Sequence, residues 1–322
     1  MSLAYLILQT LSDGRFHSGE DLARIAHVTR AAVWKAIQSL QHDYSLDIHS
    51  VRGRGYCLAQ PIELLERDTI RQALSNPAAL AGLETFLSID STNQYLMQMP
   101  EDSACPQLVL AEHQRAGRGR RGRTWQSPLA GNLYLSLLWR FHAVSANFAS
   151  LSLVIGALVC RVLRRHGVEQ LGLKWPNDVL CRGKKLCGIL IEMRGETHGP
   201  YEVVIGIGLN LVMPASVGRQ IEQPWIALQD VTPTLPSRNV LAADLVEAML
   251  AALPQFANEG LQPFLDEWRE LDSFRDSAVV LQLGDRQIHG IARGVDEQGS
   301  LLVEHDGKLQ RYYSGEISLR KQ

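Results

Sequence analysis

The segment GRGRRGRTW, from Gly117 to Trp125, sets the strongest limit on how this chain can fold. Five arginines fall within residues 115–123, a window without an acidic side chain. Glycines separate these arginines and disfavour both helix and strand, and the like charges repel one another. Runs rich in strand-forming residues lie on either side, LVLAEHQ before the segment and NLYLSLLWR after it. We therefore expect a loop between two strands that is mobile when it holds no ligand.

The charge of this loop differs from that of the whole chain, whose 322 residues carry a formal charge of −2. Contact with nucleic acid would therefore need a local basic patch. The hydrophobic content of 46% supports two or three domains with cores of their own. The five cysteines show neither a C-x-x-C pair nor zinc-like spacing, which is typical of reduced thiols and gives no metal-ligating cluster.

The apolar segments favour a cytoplasmic protein that does not enter membranes. The N-terminal run MSLAYLILQTL has no basic residues before it and no A-x-A site after it, so it does not read as a signal peptide. The longest apolar stretch, from Leu151, is shorter than the roughly 20 residues of a membrane span.

Residues 1–64 have the pattern of a winged helix-turn-helix domain. Ser18 begins SGED, a capping signal, and Thr29 can cap a further helix from Arg30 to about Gln41. The segment DIHSVRGRGYCL then predicts a hairpin with a basic tip. This order of elements is typical of DNA-binding winged helices. The candidate DNA-contacting residues are Ser18, Thr29, Arg30, Ala31, Lys35, Gln38, Arg52 and Arg54.

The alternative for this segment is a small helical docking domain with an ordinary solvated face. Residues 15–57 hold six Lys or Arg against four acids, a surplus that by itself would give weak DNA binding. Dimerisation would double the number of phosphate contacts. The order of the motifs favours DNA binding over docking.

Residues 65–270 predict an α/β domain, and residues 271–322 predict a small β-barrel. TFLSIDST, GILIEM and EVVIGIGLNL read as strands of the larger domain, LSLVIGALVCRVLRRHG reads as a helix that Gly167 ends, and a second helix follows around residues 241–253. In the tail, short strand-like runs are separated by the hairpin signals GD, DEQG and DG.

The arginine loop has three possible uses: an RGG-like nucleic-acid segment, a localisation signal or a clamp for a phosphorylated ligand. It occurs once, between strands, which favours the clamp, although the Walker pattern is absent. Downstream, residues 174–178 (KWPND) form a corner after a strand, and Lys185 stands at the entrance of the next strand. Together these residues favour ATP chemistry on a carboxylate.

Four ordered motifs resemble those of biotin protein ligases. They are STNQYL (91–96), QRAGRGRRGRTW (114–125), KWPNDVL (174–180) and KKLCGILIE (184–192). With a winged helix in front, the chain resembles the bifunctional bacterial form that also represses the biotin operon, and the resemblance covers nearly the whole length. It implies a multidomain α+β protein with a central mixed sheet of the biotin/lipoate ligase type and a C-terminal SH3-like barrel.

The resemblance implies a reaction in two steps. Biotin and Mg·ATP give biotinyl-5′-adenylate and pyrophosphate, and the biotinyl group is then transferred to a lysine of a biotin carboxyl carrier protein, that of acetyl-CoA carboxylase. Biotin and ATP with Mg²⁺ are substrates, and no cofactor is permanently bound. The implied catalytic residues are Lys185, Arg118 and Asp178. The implied biotin-binding residues are Ser91, Thr92, Asn93, Gln114, Gly117, Arg118, Arg120, Lys185 and Gly188. The implied nucleotide-binding residues are Arg118, Arg120, Arg121, Arg123, Trp125, Lys174, Asn177, Asn210 and Trp225.

The same resemblance implies regulation by the reaction intermediate. Retained adenylate would promote a homodimer, and the dimer would bind operator DNA. Two residues depart from the family pattern: Gln126 replaces an aromatic residue, and Trp34 stands where a smaller polar residue is expected. They leave open how the adenine is covered and which operator is read.

Two other functions remain open at this point, a lipoate or octanoate ligase and a ligand-sensing repressor without turnover. The polar side chains of Ser91, Thr92 and Gln114 suit the ureido ring of biotin better than a plain acyl chain. A sensor would need neither Lys185 nor the arginine loop. Both observations favour the biotin ligase.

Overall fold

The computed structural model describes residues 2–142, 147–195, 200–283, 286–313 and 317–321. The predicted GD turn at residues 284–285 lies outside them. The predicted domain limits, 1–64, 65–270 and 271–322, remain our proposal, and the three parts are described in that order.

The N-terminal part is built as the winged helix-turn-helix pattern predicts. Its elements are α1 (Leu3–Leu11), α2 (Gly19–Ile25), α3 (Arg30–Tyr44), β1 (Ile48–Val51) and β2 (Gly55–Leu58), with β1 and β2 antiparallel. Both predicted caps are present: Ser18 Oγ accepts from Asp21 N at 3.0 Å, and Thr29 Oγ1 accepts from Ala32 N at 3.2 Å. The third helix runs past the predicted end at Gln41 and stops where Ser45 turns left-handed, at φ 55°.

The central part is a seven-stranded mixed sheet with helices on both faces. Its elements are α4 (Arg67–Ala73), β3 (Gly82–Phe86), α5 (Thr92–Met97), β4 (Gln107–Ala111), β5 (Leu133–Phe141), α6 (Leu151–Arg165), β6 (Leu171–Lys174), β7 (Asp178–Cys181), β8 (Lys184–Arg194), β9 (Tyr201–Leu209), α7 (Ala215–Gly218), α8 (Arg238–Glu259) and α9 (Leu265–Leu271). The strand order is β3-β4-β5-β9-β8-β7-β6, and only the described pair β3–β4 is parallel.

The predicted strand over TFLSIDST is wrong in its extent. The observed strand β3 starts earlier, at Gly82, and ends at Phe86, after which Ser91 caps α5 by accepting from Gln94 N. Parallel pairing with β4 ends opposite Ala111, and beyond it only a single bridge joins Ile89 to Gln114. Ile89 N still donates to His113 O and Ile89 O accepts from Arg115 N, but these bonds form no continuous strand. The short helices α4 and α9 were not predicted.

Because side chains alternate along the central strands, one face of the sheet is buried in the main core and the other face is partly open. On β9, Ile205 and Ile207 belong to the main core together with α6 and α8, whereas Gly206 and Gly208 point to the opposite face. That opposite face is covered in part by α5, through contacts around Leu96. The glycines leave the rest of this face open.

Helix α8 has the length and mean hydropathy of a membrane span, with half of the scored window buried. It packs against α4, α6 and β5, and its buried residues join the main core. Its apolar side is therefore covered by protein.

The C-terminal part is a five-stranded antiparallel sheet in the order β13-β12-β11-β10-β14. Its strands are β10 (Ala278–Leu283), β11 (Arg286–Val295), β12 (Leu301–His305), β13 (Lys308–Tyr312) and β14 (Ile317–Lys321). Closure of this sheet into an SH3-like barrel stays a prediction. The sheet is attached to the central part where the buried Trp175 Nε1 donates to Gly299 O at 3.0 Å.

The N-terminal and central parts share packing and hydrogen bonds. Leu129 and Ala130, which follow the arginine loop, pack in the same apolar cluster as the winged-helix core. Beneath them, Arg238 and Glu112 form a buried ion pair at 2.6 Å, with side chains 6% and 2% exposed. The guanidinium of Arg238 also donates to Ala130 O and to Glu63 O in the connecting segment. These contacts fix the connection between the two parts.

Candidate active site

A cleft opens on the face of the central sheet that α6 and α8 do not cover, and glycines form its floor. A Cβ atom on Gly208 would lie 2.6 Å from the indole of Trp125, and one on Gly188 would lie 2.8 Å from the same ring. A Cβ atom on Gly206 would lie 2.2 Å from Asn93 Oδ1. Each of the three glycines therefore makes room for a side chain that a larger residue would displace.

A chain of polar groups lines the end of the cleft next to α5. Gln114 Oε1 accepts from Thr92 N at 3.0 Å and from Thr92 Oγ1 at 3.1 Å. The hydroxyl of Ser136 lies 2.7 Å from Thr92 Oγ1 and 2.6 Å from Asn93 Oδ1. Asn93 Nδ2 donates to Leu190 O at 3.2 Å. These bonds fix the direction of each amide, so this end offers oriented donors and acceptors to a ligand.

The arginine loop is more regular than the sequence suggests. Trp125 N donates to Gly117 O at 2.8 Å, and Gly119 N donates to Arg123 O at 2.7 Å. Between these bonds, Arg121 (φ 60°) and Gly122 (φ 70°) form a left-handed tight turn, which Arg123 N closes by donating to Arg120 O at 3.3 Å. The expectation that no strand pairing would hold the loop is therefore wrong at its tip, where Arg118 and Thr124 form an antiparallel bridge and backbone bonds close a hairpin-like lid.

Cationic side chains dominate the cleft. The six that line it are Arg118, Arg120, Arg121, Arg123, Lys174 and Lys185. Asp178 is the carboxylate among the described lining residues, and its Oδ1 lies 2.7 Å from Lys185 Nζ, with both side chains mostly buried. Lys185 Nζ also lies 5.4 Å from the centre of the Trp125 ring. So strong an excess of positive charge is suited to an anionic ligand.

Two of these cations are partly withdrawn from water. Burial lowers the pKa of Lys174, and the neighbouring Asp178 partly offsets that effect. Burial likewise lowers the pKa of the Arg120 guanidinium. A phosphate brought next to them would stabilise the charged form of each side chain.

The structure brings most of the predicted site residues into one cleft. Those that line it are Ser91, Thr92, Asn93, Gln114, Arg118, Arg120, Arg121, Arg123, Trp125, Lys174, Asn177, Asp178, Lys185 and Gly188. Gly117 lies just behind, where a Cβ atom would be 2.7 Å from Trp125 O. Their individual roles stay predictions.

Asn210 and Trp225 lie beside the cleft. Asn210 is buried, and its Nδ2 donates to Ile226 O at 3.2 Å. Trp225 Nε1 donates to Gly218 O at 3.1 Å, and its backbone pairs with Lys185. In this conformation both residues support the segment next to Lys185, and their contact with a nucleotide stays a prediction.

Sequence reasoning missed several residues that shape the cleft. Gly206 and Gly208 were not assigned, although two glycines at alternate positions of an apolar strand are a readable signal. Leu319 of the C-terminal sheet also lines the cleft, which only the packing of the domains could reveal. Within the described residues, no group of three His, Cys, Asp or Glu side chains could hold a metal ion.

The predicted DNA-contacting residues lie on the surface of the winged helix. Ser18 is partly buried as a helix cap, and the other seven are exposed: Thr29, Arg30, Ala31, Lys35, Gln38, Arg52 and Arg54. Trp34 is 54% exposed and belongs to the same helix surface. Arg54 packs over the ring of Phe16, 3.9 Å from its centre, which orients the tip of the wing.

Three known families match successive parts of the chain. Residues 4–57 match an HTH domain family, residues 85–210 match the biotin/lipoate A/B protein ligase family, and residues 276–320 match the biotin protein ligase C terminal domain. This order agrees with the three structural parts described above.

Whole-chain relatives give the same assignment. The bifunctional ligase/repressor BirA of Salmonella typhimurium is 45% identical over 314 residues, 98% of this chain and 96% of the relative. The protein of the same name from Escherichia coli is 44% identical with the same coverage. A solved biotin protein ligase from Aquifex aeolicus, in complex with biotin and ATP, has a TM-score of 0.65 at 26% identity and covers 76% of this chain and 100% of its own. The chain therefore belongs to the family of bifunctional biotin protein ligases and biotin-operon repressors.

Proposed function

We propose that the protein joins biotin to a carrier-protein lysine through biotinyl-5′-adenylate and represses transcription when it retains that adenylate. The observation that carries the proposal is the cleft itself. Six cationic side chains and the hydrogen-bonded polar groups next to α5 line it, and glycines form its floor. Biotin supplies a neutral ring and a carboxylate, and ATP supplies the phosphates that such a cleft attracts.

The polar groups next to α5 are suited to the ureido ring of biotin. That ring offers two N–H donors and one carbonyl acceptor, and the hydrogen-bonded side chains of Ser91, Thr92 and Gln114 present both kinds of partner. The aliphatic tail needs an apolar wall, which Leu190 and the ring of Trp125 supply in the lining of the cleft. The carboxylate would then point towards Lys185.

In the first step a carboxylate oxygen of biotin attacks the α-phosphorus of Mg·ATP, and the bond to pyrophosphate breaks. Negative charge accumulates on the phosphoryl oxygens as this happens. Lys185, already fixed by Asp178, and the loop arginines are positioned to stabilise that charge without reorganising. Mg²⁺ would enter with ATP as part of the substrate and would supply positive charge that offsets the charge of the phosphates.

In the second step the amine of the carrier lysine attacks the activated carbonyl carbon, AMP leaves, and the ammonium proton is lost. Asp178, which is paired with Lys185, would orient or deprotonate that amine, and the alternative is that it would hold Mg²⁺ or the loop. The arginine loop covers the adenylate and limits its hydrolysis by water. The buried indole N–H of Trp125, which has no partner among the described residues, is available to a ligand oxygen there.

The repressor half of the proposal rests on the exposed winged-helix surface. We infer that retained adenylate promotes a homodimer in the cytoplasm, and that two winged helices then contact two half-sites of an operator. The carrier is a biotin carboxyl carrier protein, which consumes the adenylate and so relieves repression.

The ligase reaction is tested by ATP–pyrophosphate exchange with biotin, octanoate and lipoate as parallel substrates. Exchange with biotin alone is the expected result. Exchange with octanoate or lipoate instead would favour the lipoate-type ligase, and biotin binding without exchange would favour a sensor.

The repressor activity is tested by sedimentation and by selection of binding sites from random DNA, each with and without biotin and ATP. The expected result is a dimer and an enriched two-fold symmetric sequence only when both ligands are present. A monomer that enriches no sequence would exclude the proposed repression.

A further inference from the structure

Glu192, near the end of β8, joins two parts of the active site that are far apart in sequence. Its Oε2 accepts from Asn93 Nδ2 of α5 at 2.9 Å. Its Oε1 lies 3.2 Å from Arg118 Nη2 of the arginine loop. The Glu192 side chain is 26% exposed and that of Arg118, which lines the cleft, is 43% exposed, so this contact lies at the partly exposed edge of the cleft.

The partner on the α5 side is rigid. Asn93 is buried, its Oδ1 faces the hydroxyl of Ser136, and its Nδ2 also donates to Leu190 O. Gly206 provides the space that its amide occupies. A carboxylate held by so constrained an amide has a fixed position, and it can therefore impose a position on the more exposed Arg118.

We propose that Glu192 is a positioning residue that holds the arginine loop closed through Arg118. The inference rests on the proposed ligase reaction for its consequence, which is that the closed loop retains the adenylate until the carrier arrives. Glu192 acts only through Arg118 and Asn93, and it does not contact the reacting atoms. Loss of the contact would shift the loop towards an open state and speed release of the intermediate.

Glu192→Gln separates the two contacts. A carboxylate accepts from both neighbours, whereas a carboxamide has one oxygen and one NH₂ group. If the oxygen stays with the buried Asn93, the NH₂ faces the guanidinium of Arg118, and two donors then meet. The control is Glu267→Gln, the same substitution in an arginine ion pair between α6 and α9, away from the cleft.

The first measurement is trypsin cleavage within the arginine loop, with no substrate present. We expect Glu192→Gln to be cleaved about 1.4- to fivefold faster than the unchanged protein, the range for one partly exposed charge contact, and Glu267→Gln to be cleaved at the unchanged rate. Thermal unfolding of both variants shows that the fold is retained. Equal cleavage of Glu192→Gln and the unchanged protein, or equal acceleration in both variants, would overturn the proposal.

The second measurement is the release rate of radiolabelled biotinyl-adenylate without a carrier. We expect an increase of the same size in Glu192→Gln, together with a raised KM for ATP and a kcat for biotin transfer within about twofold of normal. A fall in kcat with unchanged release would assign Glu192 to the chemistry and overturn the proposal. Failure of the unchanged protein to form adenylate would count against the ligase reaction alone, since the cleavage measurement uses no substrate.

Discussion

At the scale of single residues, closure of the arginine loop depends on the absence of a side chain at Gly208. Gly208 lies under the indole of Trp125, and an added Cβ would come within 2.6 Å of that ring. We expect Gly208→Ala to displace Trp125 and to reduce biotin-dependent pyrophosphate exchange by about tenfold or more. Exchange assays and acrylamide quenching of tryptophan fluorescence measure both effects. Gly19→Ala is the control, because its nearest contact would be an ordinary 3.4 Å.

The adjacent lysines at the start of β8 provide a second test at this scale. Lys185 is paired with Asp178 inside the cleft, whereas Lys184 is exposed. Lys185→Met should lower the exchange rate by about a hundredfold or more and destabilise the fold by about 1–3 kcal/mol, since it leaves Asp178 unpaired. Lys184→Met should change neither quantity appreciably. Equal activity of the two variants would remove Lys185 from the chemistry.

At the scale of elements, α3 of the winged helix contacts the end of β4 next to the cleft. The ring of Tyr44 packs edge-on against His113 at 5.2 Å between centroids, and Ser88 Oγ lies 2.9 Å from His113 Nδ1. Burial lowers the pKa of His113 below its ordinary value of 6.5, and the charge of Arg115 adds to this effect. The contact therefore favours the neutral ring.

The lowered pKa gives this contact a definite pH dependence. Above about pH 6.5 the ring is neutral in both states, and below it the unfolded chain binds the proton more readily than the folded chain. The free energy of unfolding should therefore fall as the pH decreases below 6.5. In His113→Asn this part of the decrease should disappear. Urea unfolding between pH 5 and 8, roughly the range over which histidines titrate, measures the difference.

The sequence predicted the start of a helix correctly where residues close together in the chain determine it. The caps at Ser18 and Thr29 are in place because each hydroxyl satisfies a backbone donor close to it in sequence. The extent of β3 was misjudged because strand length depends on how far β4 can pair with it, which is not a local property. Helices α4 and α9 are short, and packing determines them more than periodicity does.

At the scale of the whole molecule, the ion pair of Arg238 and Glu112 fastens the segment between the N-terminal and central parts. Both side chains are almost fully buried, so Arg238→Met leaves a buried carboxylate without its partner. We expect a loss of about 3–5 kcal/mol in the free energy of unfolding. We also expect separate unfolding of the winged helix, measured by urea titration with two probes. Arg161→Met, in an ion pair with a half-exposed arginine, should cost no more than about 1 kcal/mol.

The sequence by itself determined the order of the domains, the positively charged loop and the family. These depend on short motifs whose residues act near their own position in the chain, as in GRGRRGRTW and KWPNDVL. Only the tertiary structure decided that Glu192 contacts Arg118, that Leu319 reaches the cleft and that Asn210 donates to Ile226 O beside it. Such contacts join residues that are far apart in the sequence. The packing of the sheet, the loop and the domains determines them, and no local sequence pattern indicates them.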